Sequence, residues 1–115
     1  IYPASDILKK SMNVGTVLLA QKLGKDTFSK YIRSFGFGKK TGVYLPGETR
    51  GLVRNPSNIT AIDNAVMSFG QGISVTSLQM AAAVSTIANY GVYVQPRIVK
   101  HQTDHDNLTL FCFFS

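Results

Sequence analysis

Ser11-Met12-Asn13-Val14-Gly15-Thr16 lies between two segments of helical period and decides how the chain around it is organised. Ser and Asn carry short polar side chains that bond nearby backbone groups, so they favour caps and turns over helix interiors. The pair flanking Met12 therefore predicts a break between helices. Upstream, Ser5-Asp6 is a candidate N-cap for a short helix over Ile7 to Lys10. Downstream, a second helix is predicted from Val14, with Val17, Leu18 and Gln21 on one face and Gly24 as its C′ stop. Asp26 then caps a third, in which Phe28, Tyr31, Ile32 and Phe35 recur at i, i+3, i+4 and i+7 and predict a buried stripe.

From Gly36 to Pro56 the period is lost, and glycine and proline arrive at turn spacing, which predicts irregular chain with a short extended piece at Val43-Tyr44-Leu45. A short helix is expected around Ala61 to Met67, closed by Phe69-Gly70-Gln71-Gly72. Thr76 and Gln79 have capping-box spacing and open the longest helix, whose apolar, small-residue surface includes Leu78, Ala82 and Ile87. Gly91 ends it. Val92-Tyr93-Val94, with Ile98-Val99 around Pro96, reads as an edge strand or two short strands. After Lys100 the character changes, and Leu110-Phe111-Cys112-Phe113-Phe114 is apolar without alternation, more an aggregation hazard than a folded element.

At 115 residues the chain is one small domain or a piece of a larger one. With 44% hydrophobic and 16% charged residues it has the apolar material to pack a core and too little charge to stay disordered. The net charge of +6 is uneven: residues 1–54 hold ten Lys/Arg against three acids, and residues 55–115 hold two against three. No block of five like charges occurs, so the basic half reads first as a solvated face. A single cysteine, Cys112, excludes an intrachain disulfide and a cysteine-based zinc site. No apolar run reaches the roughly 18 residues a membrane span requires. The start at Ile1-Tyr2-Pro3, without an initiator Met or signal-peptide pattern, leads to the expectation of a chain cut from something longer.

Three constellations suggest chemistry and fail on spacing. Gly36-Phe37-Gly38-Lys39-Lys40-Thr41-Gly42 has the glycines and lysines of a phosphate loop, but Arg33 stands where the upstream glycine belongs and Gly-Lys is not followed directly by Ser or Thr. His101 and His105, at i and i+4, lack a third metal ligand and sit in a segment of poor helix character. Asp6, Asp26, Glu48 and Asp63 are too scattered to form a carboxylate pair. No metal or cofactor is expected.

Four blocks in order carry a resemblance: Ser11-Met12-Asn13-Val14-Gly15-Thr16; Leu19-Ala20-Gln21-Lys22-Leu23-Gly24; Phe35-Gly36-Phe37-Gly38-Lys39-Lys40-Thr41-Gly42 running into Leu45-Pro46-Gly47-Glu48; and Ser68-Phe69-Gly70-Gln71-Gly72-Ile73-Ser74-Val75-Thr76. Over about residues 3 to 100 the chain resembles the transpeptidase domain of monofunctional (class B) penicillin-binding proteins. The resemblance implies a mainly α fragment of an α/β fold related to the serine β-lactamases, with a five-stranded sheet covered by helices. It divides the chain into a partial transpeptidase domain, 1–100, and an unmatched tail, 101–115.

The family works with Ser-x-x-Lys, Ser-x-Asn and Lys-Thr-Gly motifs. The first serine attacks a D-Ala-D-Ala stem peptide, lysine takes its proton, and backbone amides hold the oxyanion. By resemblance Ser11 is the hydroxyl that passes a proton to the leaving nitrogen, and Asn13 is the amide that holds the peptide and orients the lysine. A loop between helices projects both into a cleft while Met12 turns away. No serine here has lysine three residues on, so the nucleophile is absent from this sequence and is expected upstream of Ile1. Lys40-Thr41-Gly42 precedes the Gly70-Gln71-Gly72 block and opens no strand, so it is read as a coincidental match; the true motif is expected on a strand beyond residue 100. The implied parent binds peptidoglycan stem peptides and β-lactams on the outer face of the cell membrane, held there only by an N-terminal anchor absent from this sequence. It does not bind nucleic acid. This chain, needing the remainder of the domain, is expected to be inactive alone. The rival readings are a basic nucleic-acid-binding module using Lys22, Lys25, Lys30, Arg33, Lys39 and Lys40, and a degenerate, truncated gene product.

Overall fold

A computed structural model of the chain describes residues 3–98 in full and the backbone of 101–103 and 109–112. The chain runs through α1 (Ala4–Lys9), α2 (Asn13–Leu23), α3 (Lys25–Ser34), a single 3-10 turn at Pro56–Asn58, α4 (Ala61–Ser68), α5 (Ser77–Ala88), β1 (His101–Thr103) and β2 (Thr109–Cys112). It is mainly helical, as the sequence predicts.

Helix starts follow the capping chemistry where a box is present. Thr76 and Gln79 make the predicted reciprocal pair, Gln79 N–H to Thr76 Oγ1 at 3.1 Å and Thr76 N–H to Gln79 Oε1 at 2.9 Å. Thr60 and Asp63 form a second box at α4. The other two predicted caps fail: α1 starts at Ala4 behind Pro3, and α3 starts at Lys25 behind Gly24, neither with a side-chain cap. Asp6 and Asp26 instead sit in the first helical turns, where a negative charge meets the exposed N–H groups of the helix end.

The helical faces need correction as well. Leu18, predicted to face inward on α2, is 60% exposed, and the buried residues are Gly15 and Ala20. Apolar residues surround this helix, so its period selects no face, and the small ones allow close packing on α4. Asn64 of α4 reaches across to donate to the Ala20 carbonyl at 3.2 Å. In α3 the stripe is buried only at Ile32; Phe28 and Phe35 are half-buried and Tyr31 is 56% exposed. Ile32, Ile59 and Met67 form the core, with Phe28, Phe37, Val53 and Ile73 against it.

Residues 36–55 are irregular, as predicted, but the piece at Val43-Tyr44-Leu45 is not a strand: Tyr44 has φ 58°. Order comes from side chains. Gln79, 1% exposed, donates to the Lys39 carbonyl at 2.6 Å and the Arg50 carbonyl at 2.9 Å, so one amide ties α5 to two loop segments. The loop is also pinned by a backbone bridge between Leu52 and Ser74, at 2.8 and 2.9 Å. Gly51, φ +69°, lies against that bridge, and a Cβ there would collide with the Ser74 carbonyl oxygen.

Val92–Val94 is not an edge strand; residues 92–97 carry no regular structure and are held by Gln95, which donates to the Gly42 carbonyl at 3.0 Å. The strands lie later, where β1 pairs antiparallel with β2, His101 opposite Cys112 and Gln102 opposite Phe111, with a register shift after Gln102. The apolar run expected to be unstructured thus pairs through Cys112, while Val99, His105, Phe113 and Phe114 lie outside the described residues. Among the described residues no helix is long and apolar enough to cross a membrane.

Candidate functional site

The turn between α1 and α2 is built by backbone hydrogen bonds. Ser11 N–H donates to the Leu8 carbonyl at 3.2 Å and Met12 N–H to the Ile7 carbonyl at 2.9 Å. This nested pair is the Schellman arrangement, in which the residue just past the helix takes a left-handed conformation, most often as glycine. Here that residue is Ser11, at φ 49°. A side chain in this region costs about 1–2 kcal/mol relative to the right-handed conformation. Met12, the following residue, is half-buried, whereas Ser11 is exposed.

The chain then enters α2 at Asn13 without a side-chain cap. Thr16 Oγ1 donates to the Asn13 carbonyl at 2.8 Å, fixing the first turn. Asn13 is exposed like Ser11, and neither side chain has a partner among the described residues. Gly15 sets how closely α1 approaches: a Cβ there would lie 2.7 Å from Ile7 Cγ1. Sequence reasoning missed both the Schellman strain and this contact. A glycine inside an otherwise strong helix was the available signal for the second.

Lys40-Thr41-Gly42 has the opposite character. Thr41 is buried, and its hydroxyl and N–H both donate to Glu48 Oε1, at 2.5 and 2.6 Å; Gly42 N–H donates to Oε2 at 3.3 Å. The Thr41 hydroxyl holds the Glu48 carboxyl below its ordinary value, overcoming the desolvation that pushes it up, and the two amides and the Lys40 charge add to the lowering. In α4 the Thr60 N–H and then its hydroxyl, with a smaller contribution from Arg54 at 2.9 Å, likewise lower Asp63 against its desolvation. Both carboxylates tie a loop or helix end together. No group of three or more His, Cys, Asp or Glu able to hold a metal occurs among the described residues.

A family model of the penicillin binding protein transpeptidase domain matches residues 2–110. The chain belongs to that family. Penicillin-binding protein PbpB of Mycolicibacterium smegmatis is 44% identical over 99 residues, which cover 86% of this chain and 15% of that protein. Peptidoglycan D,D-transpeptidase FtsI of Escherichia coli K12 is 38% identical over 94 residues, 82% of this chain and 16% of the relative. Penicillin binding protein 3 of Mycobacterium tuberculosis, solved in complex with aztreonam, is 41% identical with a TM-score of 0.87, over 94% of this chain and 24% of that one. The likeness supports the helical part of an α/β transpeptidase fold, and the chain spans about 15% of the curated relatives' length.

Proposed function

We propose that this chain supplies the Ser-x-Asn portion of a peptidoglycan D,D-transpeptidase centre, with Ser11 as the proton-passing hydroxyl and Asn13 as the amide that holds the stem peptide. The observation that carries the reading is the strained serine: a left-handed position suited to glycine is given to a residue whose hydroxyl is exposed and unbonded among the described residues. Family membership supplies the reaction class. The whole enzyme would form an acyl-enzyme on stem peptides and on β-lactams, at the outer face of the cell membrane. Residues 1–100 would be the transpeptidase part. The nucleic-acid module finds no support in that family.

The test is a chimera in which residues 3–98 replace the matching stretch of the M. smegmatis relative. It is expected to be acylated by a fluorescent penicillin, with Ser11→Ala and Asn13→Ala each slowing acylation by about a hundredfold or more, the scale of a lost proton-transfer group. A folded chimera whose acylation is indifferent to both substitutions refutes the assignment. The 115-residue chain alone, without Ser-x-x-Lys, is expected to take no label.

A further inference from the structure

We propose that the groove between the C-terminal end of α3 and the Gly36–Gly42 loop is a binding site for a phosphate ester of a sugar-sized polar group. The inference is independent of Ser11 and Asn13. The groove has a volume of about 390 Å³, within the roughly 300–1,000 Å³ of small-molecule sites. Three cations line it, Arg33, Lys39 and Lys40, and no carboxylate does. None of the three forms a salt bridge among the described residues. The guanidinium of Arg33 makes one hydrogen bond, to Asn55 Oδ1 at 3.3 Å, and its Nε is buried without a partner. A buried, unspent N–H of a permanent cation is costly, and an anion held near the guanidinium would offset part of that cost electrostatically. Glu48, whose carboxyl feels the Lys40 charge, already accepts from Thr41 and Gly42.

Three cations match a dianion better than a monocarboxylate, which leaves more positive charge uncompensated. The rest of the lining suits a small polar group carried by that anion. Tyr93 is half-buried and packs on Gly36, where a Cβ would meet its Cε2 at 2.8 Å. Gln95 spends one N–H on the Gly42 carbonyl, which leaves its carbonyl oxygen and second N–H for hydroxyl or amide groups. A half-buried aromatic ring beside an amide with unspent polar groups offers a sugar-sized ligand both apolar and hydrogen-bonding contacts. The adjoining groove, about 430 Å³ and sharing Arg33, Ser34 and Lys39, adds Lys30 and a carboxylate, Asp26, to its lining. A polyanion long enough to fill both grooves would meet that carboxylate, which a compact ligand confined to the first does not.

Calorimetric titration of the 115-residue chain, and of the chimera described above, with N-acetylglucosamine 1-phosphate tests the assignment. The Lys39→Gln/Lys40→Gln double variant is expected to bind about tenfold more weakly or worse, and Lys22→Gln/Lys25→Gln, which removes the same charge from positions that do not line the groove, to bind as the unaltered protein does. N-acetylglucosamine without phosphate should not bind, and inorganic phosphate should bind more weakly than the ester. Equal losses in both double variants, equal binding of inorganic phosphate and the ester, or no binding at all would overturn the proposal. So would tighter binding of a single-stranded oligonucleotide that is insensitive to Lys39 and Lys40.

Discussion

The Ser11-Met12-Asn13 turn and the Lys40-Thr41-Gly42 loop each match a three-residue signature of the same enzyme family, and they differ in what their hydroxyls are doing. Thr41 is buried and gives its hydroxyl and its N–H to Glu48. Ser11 is exposed, has no side-chain partner among the described residues, and is held at φ 49°. A hydroxyl already committed to a carboxylate stabilises a loop and is poorly placed to relay a proton. The lesson concerns saturation: a short motif becomes credible as chemistry when its polar groups are unspent and the backbone is strained to present them.

The largest expected effect breaks or sharpens that contrast directly. In the chimera, Ser11→Ala should slow acylation by a fluorescent penicillin by about a hundredfold or more, while Thr41→Val should change it by less than about threefold. Thr41→Val should instead lower the urea midpoint, because it removes a charge-assisted hydrogen bond. Equal effects on acylation would erase the distinction between the two motifs.

Gln79→Ala extends the test to the scaffold around the second motif. The buried amide satisfies the Lys39 and Arg50 carbonyls and the Thr76 N–H, so its loss should cost on the order of 3 kcal/mol in urea unfolding. That substitution touches no contact of the Ser11 turn. It should therefore alter stability well before it alters acylation measured in the folded state.

The parts of the fold legible in the sequence were those written in local chemistry. Thr76 and Gln79 announced α5 because the cap residues bond one another whatever surrounds them. Gly24, at φ +81°, marked the end of α2 because few other residues tolerate that conformation. The faces were harder. Val14, Leu18, Leu19 and Leu23 spread around α2, and no periodicity reveals that Gly15 and Ala20 are the residues that pack. Tyr31 fell on the predicted stripe of α3 but ended more than half exposed, since period describes a direction and not the presence of a neighbour. The candidate site was legible only through family resemblance. A serine gives no advance sign that it will take a glycine's place, and the bonds that put it there come from Leu8 and Ile7 carbonyls of an otherwise ordinary helix.

Acid should separate the two regions by a smaller margin. The folded-state pKa of Glu48 is lowered from an ordinary value of 4.5, so its contribution is fully present above that value and is lost as pH falls through the depressed one. Between pH 7 and 5 the Glu48 contribution should therefore be constant, and between pH 4.5 and 3 it should decline. Glu48→Gln, which cannot lose a charge, should lower the urea midpoint at pH 7 and flatten its fall below pH 4.5. Asp63, lowered from 3.8, adds a second decline at lower pH that the Gln variant retains. A variant with the unaltered acid profile would show that the carboxylate bonds at Thr41 and Gly42 do not hold the loop.

Ser11→Gly has the smallest expected effect on stability and the most informative sign. Glycine enters the left-handed region without a Cβ penalty, so the substitution should stabilise the α1–α2 turn by about 1 kcal/mol. Alanine keeps the Cβ and should bring no such gain. Both remove the hydroxyl, so both should lose acylation to the same extent in the chimera. Two variants equal in activity and about 1 kcal/mol apart in urea unfolding would show that the strain at Ser11 is maintained for its hydroxyl, a stability cost tolerated for function. If glycine proves no more stable than serine, the left-handed turn carries no strain, and the exposed hydroxyl loses the physical argument that distinguishes it from any other surface serine.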